Sequence, residues 1–391
     1  MLRRAGVVLV APALFFIAID SYNRHLVTAA HAESGVNSPS VGSGVAGPPT
    51  ALGTLRATLP MLEPRSGHSA TLLPNGKVLI AGGMRRNQDF YNTAELYDPA
   101  TGEFASTGSM AVATVGNAAV LLKSGKVLVL GGWVKGDTTD LAEFYNPATG
   151  KFENAGHMTM KRGRAEVALL ANGDVLITGG QEHDGPGGMD TAELYHAANG
   201  TFEAIAPMHF GRIAHTMTVL SDGRVLIAGG MSEKDGAVRI AEIYDPSTKT
   251  FTTTGQMLTA RIKHCSGVLP DGRVLIAGGS IDGGWTHQLA SAEIYDPKSG
   301  TFTAAASLSD ARFKLPYQPA ALPGGRLLFA GGSKTLDVYD PASGKFLAVS
   351  DQLPDVRHYM EETRLADGSV LLTGGYPDND QATAAAWIYK P

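Results

Sequence analysis

Arg224-Val225-Leu226-Ile227-Ala228-Gly229-Gly230 is a short apolar run closed by two glycines, and it is one of seven such runs. The other glycine pairs stand at 82-83, 131-132, 179-180, 278-279, 331-332 and 374-375, so the gaps along the chain are 49, 48, 50, 49, 53 and 43 residues. A period near 50 marks one structural unit copied seven times. Around the quoted run the unit reads as four short strands. Arg212–Leu220 comes first, then the Ser221-Asp222-Gly223 turn and the apolar run itself. A polar loop from Met231 to Val238 leads to Ala241–Tyr244. The Asp245-Pro246-Ser247-Thr248 turn then opens a fourth strand at Thr250. Turn chemistry at every junction is the hairpin signal.

The apolar runs do not alternate with polar residues: Val78–Ala81, Val127–Leu130, Val175–Thr178, Val274–Ala277, Leu327–Ala330 and Val370–Thr373 all repeat the pattern. Strands of that kind are buried on both faces. Seven sheets that each need a neighbour on either side are satisfied by a radial arrangement, which predicts an all-β, seven-bladed β-propeller. The seventh copy stops after its third strand, at Pro391. The missing strand is found at the other end, where Gly53–Met61 parallels Gly300–Leu308. The expectation is that this N-terminal strand closes the last blade, which leaves no free edge at the ring junction.

The double glycine after an apolar strand, the Glu-x-Tyr that follows (95/97, 143/145, 193/195, 242/244 and 293/295, with Asp337/Tyr339) and the later aromatic (Phe104, Phe152, Phe202, Phe251, Phe302, Phe346) resemble the kelch repeat. The resemblance runs from about residue 53 to 391. It implies the propeller fold and leaves function open, because such propellers host enzymes, adaptors and structural proteins.

Two faces are expected. The turns Pro74–Gly76, Lys123–Gly125, Ala171–Gly173, Ser221–Gly223 and Pro270–Gly272 are nearly constant. They share a face with the turns joining third to fourth strands. The loops after each glycine pair all differ and lie on the opposite face, where a rigid scaffold would present a site. Trp133, His183 and Trp285 stand in those loops. A second column, eleven residues before each turn glycine, reads Arg65, Thr114, Arg162, Arg212, Arg261, Lys314 and Arg357. Three residues on from it come His68, His215, His264 and Tyr317. These columns have two readings. Pairing of each Arg with the acid of Glu-x-Tyr would be structural, because a desolvated charge needs a partner. Guanidinium groups converging on the channel would instead suit a carboxylate or phosphate ligand. An acidic sugar is then plausible, packed on the indoles of Trp133 and Trp285.

Other chemistry is thinly represented. There is no Gly-x-Ser-x-Gly, no His-Glu-x-x-His and no phosphate loop before a helix. Glu182-His183-Asp184 with Asp190, and Asp378-Asn379-Asp380, read as solvated loop charges rather than complete cation sites. The propeller also resembles that of galactose oxidase and related copper-radical oxidases. That resemblance implies copper and a Cys cross-linked to a Tyr, for which Cys265, Tyr317 and His358-Tyr359 are the available residues. The family's Tyr-then-His order is reversed here, and its last His would need chain beyond residue 391.

The N-terminus reads as an export signal: Arg3-Arg4, an apolar stretch from Ala5 to Ile19, and Ala30-His31-Ala32 as the cleavage site. The competing reading is an uncleaved anchor, but 15 apolar residues are short for a span of roughly 20. Residues 33 to 51 read as a flexible linker. Cleavage after Ala32 removes three Arg and one Asp, which leaves a net charge of −7. Such a chain has no general attraction for nucleic acid or anionic membrane. Cys265 is the only cysteine, so no internal disulfide holds the fold. The expectation is a secreted or periplasmic binding module, with no resident cofactor, for a carbohydrate or protein partner on the loop face. An enzyme acting on sugars (a copper oxidase, or an epimerase or lyase for acidic sugars) is the alternative.

Overall fold

The computed structural model describes residues 52–86, 89–183, 188–233, 236–282, 286–378 and 380–391. The expected signal and linker lie outside the described residues. Seven four-stranded antiparallel sheets form a seven-bladed propeller. Blade 1 contains Ser69–Leu72, Val78–Ala81, Ala94–Asp98 and Glu103–Ser106. Blade 4 contains Thr216–Val219, Val225–Ala228, Ala241–Asp245 and Thr250–Thr253. The second strands of blades 1 to 5 are buried at every position. Each sheet buries its two faces against its neighbours, as the unbroken apolar runs require.

Blade 7 closes the ring. Thr54–Ala57 pairs with Ala386–Lys390, in the order Thr54 to Lys390 and Ala57 to Trp387. The predicted N-terminal strand is therefore present, though shorter than Gly53–Met61. Within the blades, the Tyr of Glu-x-Tyr faces the later Phe across two strands. Tyr97 and Phe104, for example, have ring centroids 4.9 Å apart.

The first strands are also shorter than the sequence suggests. In blade 4 the strand begins at Thr216, not Arg212. The reason is that residues 212 to 215 serve two blades. The Arg212 N–H donates to Met189 O of blade 3, and its carbonyl accepts from Gly180 of blade 3 at 3.2 Å. The same bond recurs around the ring. Gly83, Gly132, Gly180, Gly230, Gly279, Gly332 and Gly375 donate to Thr114, Arg162, Arg212, Arg261, Arg312, Arg357 and Arg65, at 2.7–3.2 Å. The last of these joins blade 7 to blade 1.

This contact explains the double glycine. A Cβ on Gly229 would lie 2.6 Å from the Arg261 carbonyl and 2.8 Å from the His264 ring, both on the next blade. Its φ is +62° and that of Gly230 is +97°. Only glycine accepts both the close approach and the left-handed backbone.

Two loops after the glycine pairs form small hairpins, Trp133–Val134 with Asp137–Thr138 and Met231–Ser232 with Gly236–Ala237. Among the described residues no helix is long and apolar enough to cross a membrane.

Candidate functional site

The arginine column lies between strands and does not reach the channel mouth. Arg65, Arg162, Arg212 and Arg261 are fully buried. Each guanidinium pairs with the acid of its own blade: Glu95 at 3.0 Å, Glu193 at 2.7 Å, Glu242 at 2.6 Å and Glu293 at 2.7 Å. Each also caps the carbonyl of the first glycine of its pair, as Arg212 does Gly229 at 3.0 Å. The acids in turn accept N–H groups from the segment that enters the blade, such as Leu62 to Glu95 at 2.7 Å and Thr159 to Glu193 at 2.7 Å. These charges are paired locally, in the structural geometry, although Arg162 Nη2 and Arg261 Nε are buried with no hydrogen-bond partner among the described residues.

Blade 6 corrects the count. Its buried pair is Arg312 with Asp337 at 2.6 Å, two residues before Lys314. The turn there, Pro323–Gly325, has the usual length, but Leu322 before it stands ten positions after Arg312, whereas Leu73 stands eight after Arg65, so counting back from the turn glycine slips the register. Blade 2 has Thr114 in place of Arg. Burial raises the pKa of its acid, Glu143, which accepts the Ala111 N–H at 3.1 Å. Arg357 approaches Asp355 at 3.2 Å and lies over the Trp387 ring.

The histidine column is also between blades. His68, His215 and His264 are fully buried and reach Thr373, Thr178 and Thr216 of the preceding blade at 2.9–3.0 Å. Burial, then the neighbouring Arg, lowers the pKa of His68 and of His264 to about 3 and pushes His215 well down. All three are neutral at ordinary pH. Trp133 is 5% exposed and packs with Val115, Ile213, Ala214 and Ile262, so its indole is not an open platform. His183 is exposed on the blade 3 loop. Trp285 lies outside the described residues.

A different set of residues gathers at the mouth. Two positions after the arginine column, every blade has a left-handed residue: Gly67, Gly116, Arg164, Ala214, Lys263, Lys314 and Tyr359, with φ between +51° and +64°. Their amides form a second, inner ring. Gly116 donates to Gly67 at 2.9 Å, Arg164 to Gly116 at 3.1 Å, Lys263 to Ala214 at 3.1 Å, Tyr359 to Lys314 at 3.0 Å and Gly67 to Tyr359 at 3.3 Å. Blades 1 and 2 use glycine, where this backbone is unstrained. Arg164, Lys263, Lys314 and Tyr359 adopt it at a cost of roughly 1–2 kcal/mol each.

Their side chains converge. Arg164 Nη1 donates to the Tyr359 hydroxyl at 2.6 Å, from blade 3 to blade 7. The Arg164 guanidinium lies 4.2 Å from the Tyr359 ring centroid, Lys314 Nζ 5.4 Å and Lys263 Nζ 6.0 Å. Lys314 also donates to the Tyr376 hydroxyl at 2.8 Å. Next to them His358 stacks between Phe313 and Tyr376 and approaches Asp378 at 3.4 Å.

Below this cluster the channel holds a cavity of about 270 Å³, lined by Arg164, Glu166, Tyr317, Gln318, Tyr359 and Glu361 among others. Glu166 follows Arg164 by two residues and Glu361 follows Tyr359 by two, and all four line the cavity. Burial raises both carboxyl groups: Glu166, with the Glu361 charge adding, goes well up, and Glu361, with Glu362 adding, goes to about 8. Burial also raises the Tyr317 phenol, whose hydroxyl is enclosed in the channel wall. Sequence reading named Tyr317 but neither glutamate. It also missed Arg164 and Lys263. The available signal was Gly67 and Gly116, which mark the column as one that needs positive φ.

The kelch motif matches this chain at residues 64–111 and 261–309. With the seven blades and the motif of double glycine and Glu-x-Tyr, the chain is a kelch-repeat β-propeller. Among solved structures, a fungal alcohol oxidase of the AA5 family, in complex with copper, is similar with a TM-score of 0.71 and 17% identity. The match covers 87% of this chain and 76% of that one. At that identity the likeness is one of fold. No curated protein matches the chain.

The copper-radical donor set does not assemble from the residues named for it. Cys265 is buried in an apolar cluster with Leu275, Leu315 and Phe329, and burial pushes its thiol well up. Tyr317 lines the channel instead, and only its carbonyl approaches that strand, accepting from the Ser266 N–H at 3.0 Å. Among the described residues no group of three or more His, Cys, Asp or Glu could hold a metal.

Proposed function

We propose that this chain is an exported kelch-propeller binding module that receives a carbohydrate on its loop face, at the mouth of the channel. The observation that carries the reading is the contrast between self-satisfied charges within the blades and the cationic, aromatic and hydroxyl-bearing groups that converge at the mouth. The cavity beneath is lined by Glu166, Tyr317, Gln318 and Glu361, which can give and take hydrogen bonds as a sugar's hydroxyl groups do. A protein partner on the same loops is the competing occupant.

The test is a glycan array of neutral and acidic oligosaccharides probed with labelled full-length protein. Wild type binds. Replacing Lys161, which is exposed and pairs with Asp137 of the blade 2 hairpin, together with His183 and Trp285 by Ala weakens binding at least tenfold with an unchanged melting temperature. The control changes Arg224→Ala and Arg273→Ala, on the constant-turn face, leave binding intact. Silence across the array overturns the carbohydrate reading, and loss confined to the control variants overturns the choice of face.

A second reading, an enzyme for acidic sugars, rests on the two channel carboxyls. Glu166 and Glu361 sit together with raised pKa values, a pattern that suits proton transfer. It requires turnover of an acidic sugar that is lost in Glu361→Gln, followed by NMR.

A further inference from the structure

Three like charges meet at one aromatic ring. Arg164, Lys314 and Lys263 come from blades 3, 6 and 5, and all lie within 6.0 Å of the Tyr359 ring centroid. Cations so placed repel one another. Rings and phenol hydroxyls orient them: Tyr359 holds Arg164, Tyr376 holds Lys314, and Phe313 lies beneath both lysines, 5.1 Å from Lys314 Nζ and 5.7 Å from Lys263 Nζ. Among the described residues, carboxyl groups near the cluster include Glu166 and Glu361, which line the cavity with Arg164 and Tyr359, and Asp378, beside His358. The backbone gives an independent indication. Blades 1 and 2 place glycine at this left-handed position and blades 4 and 7 place Ala214 and Tyr359, whereas blades 3, 5 and 6 keep a long cation there against the conformational preference. Such outliers persist where the surroundings over-determine them, which is common at ligand sites.

We infer that the Arg164–Lys263–Lys314 triad is an oxyanion site, and that the ligand of this propeller is an acidic sugar. Its carboxylate or phosphate lies at the triad and its hydroxylated body faces Glu166, Tyr317 and Glu361. This rests on the loop-face reading above and specifies the ligand's charge. The cavity of about 270 Å³ is at the small end of ligand pockets, roughly 300–1,000 Å³, and suits a single sugar ring. A charged fork and two ammonium groups match an oxyanion in geometry and sign.

The experiment is calorimetric titration of the full-length protein with glucuronate, galacturonate and their 6-phosphate counterparts. The neutral parent sugars and inorganic phosphate are titrated in parallel. The acidic sugars bind at least tenfold more tightly than the neutral parents, and the margin shrinks with added salt. The carboxylate and phosphate arms identify which oxyanion is taken. The variants are Arg164→Gly and Lys263→Gly. Each restores the residue used by blades 1 and 2, so the melting temperature holds or rises while affinity for the acidic sugar falls at least tenfold.

Equal binding of acidic and neutral sugars overturns the inference, as does a glycine variant that melts earlier yet binds as before. Inorganic phosphate binding as tightly as the sugar phosphate overturns the sugar assignment. Neutral and acidic sugars bound alike, and lost in the Lys161, His183 and Trp285 variant, remove the oxyanion site but keep the loop face. Acidic-sugar binding that survives those loop changes and fails in Lys263→Gly does the reverse.

Discussion

Two concentric rings of charged residues surround the channel, and they are built on opposite principles. In the outer ring Arg65, Arg162, Arg212, Arg261 and Arg312 each meet a Glu or Asp and two backbone carbonyls, and their own carbonyls accept from the preceding blade's glycine, so the charge is paired inside the fold. In the inner ring, two residues further along the same chain segments, three cations meet around one tyrosine. The outer ring repeats because every blade junction needs it. The inner ring shares only its backbone conformation and differs in side chain from blade to blade. A repeat protein can therefore keep one column constant for cohesion and vary the column two residues further on.

The largest effect expected on the outer architecture comes from opening it. Deleting residues 53–62 removes the strand that pairs with Ala386–Lys390 and the Leu62 N–H that binds Glu95. Ala386–Lys390 then becomes the unpaired outer edge of blade 7. The melting temperature should fall more than for any single substitution, and an unchanged value sinks the closure. Next in size is Arg212→Ala. It leaves Glu242 buried without its guanidinium partner, which costs about 3–5 kcal/mol. Denaturant unfolding measures it, and a loss below about 1 kcal/mol would show that the pair behaves as an exposed one.

Legibility in the sequence follows the same division. The outer ring could be read because its causes are local and repeated. The glycine pair, the turn glycine and Glu-x-Tyr recur at fixed spacing, and the strand at 53–61 could be matched to its counterpart at 300–308. Counting failed at blade 6, where two extra residues between Arg312 and Leu322 hid Arg312. The inner ring was hidden for a physical reason. Arg164 and Tyr359 are 195 residues apart and meet only because the ring curves shut. Trp133 looked like a surface platform from its loop, but the turn of its hairpin folds the indole onto Gly163, whose added Cβ would lie 2.6 Å from it.

The finest distinction is between the histidines at the blade junctions and the channel carboxyl Glu361 in their response to pH, and the two should fail from opposite sides. His68 and His264 titrate at about 3 in the fold because of burial, and near 6.5 when unfolded. Between those values the unfolded chain binds more protons, so stability falls as the pH drops from about 6.5 toward 3. Glu361 has the opposite sign. Burial and the Glu362 charge raise it to about 8, whereas the unfolded value is near 4.5. There the folded chain holds the extra proton, so stability declines as the pH rises from about 4.5 through 8. Glu361→Gln keeps a neutral side chain of the same shape. Its melting temperature relative to wild type should therefore climb between pH 5 and pH 8, while the acid limb set by the histidines stays where it was. Glu362, which titrates in the same range and accepts the Ala330 N–H at 2.6 Å, leaves a residual alkaline slope. Parallel wild-type and variant curves across that window would mean that Glu361 is ionised in the channel at neutral pH, and the opposition between the junction histidines and the channel carboxyl would be lost.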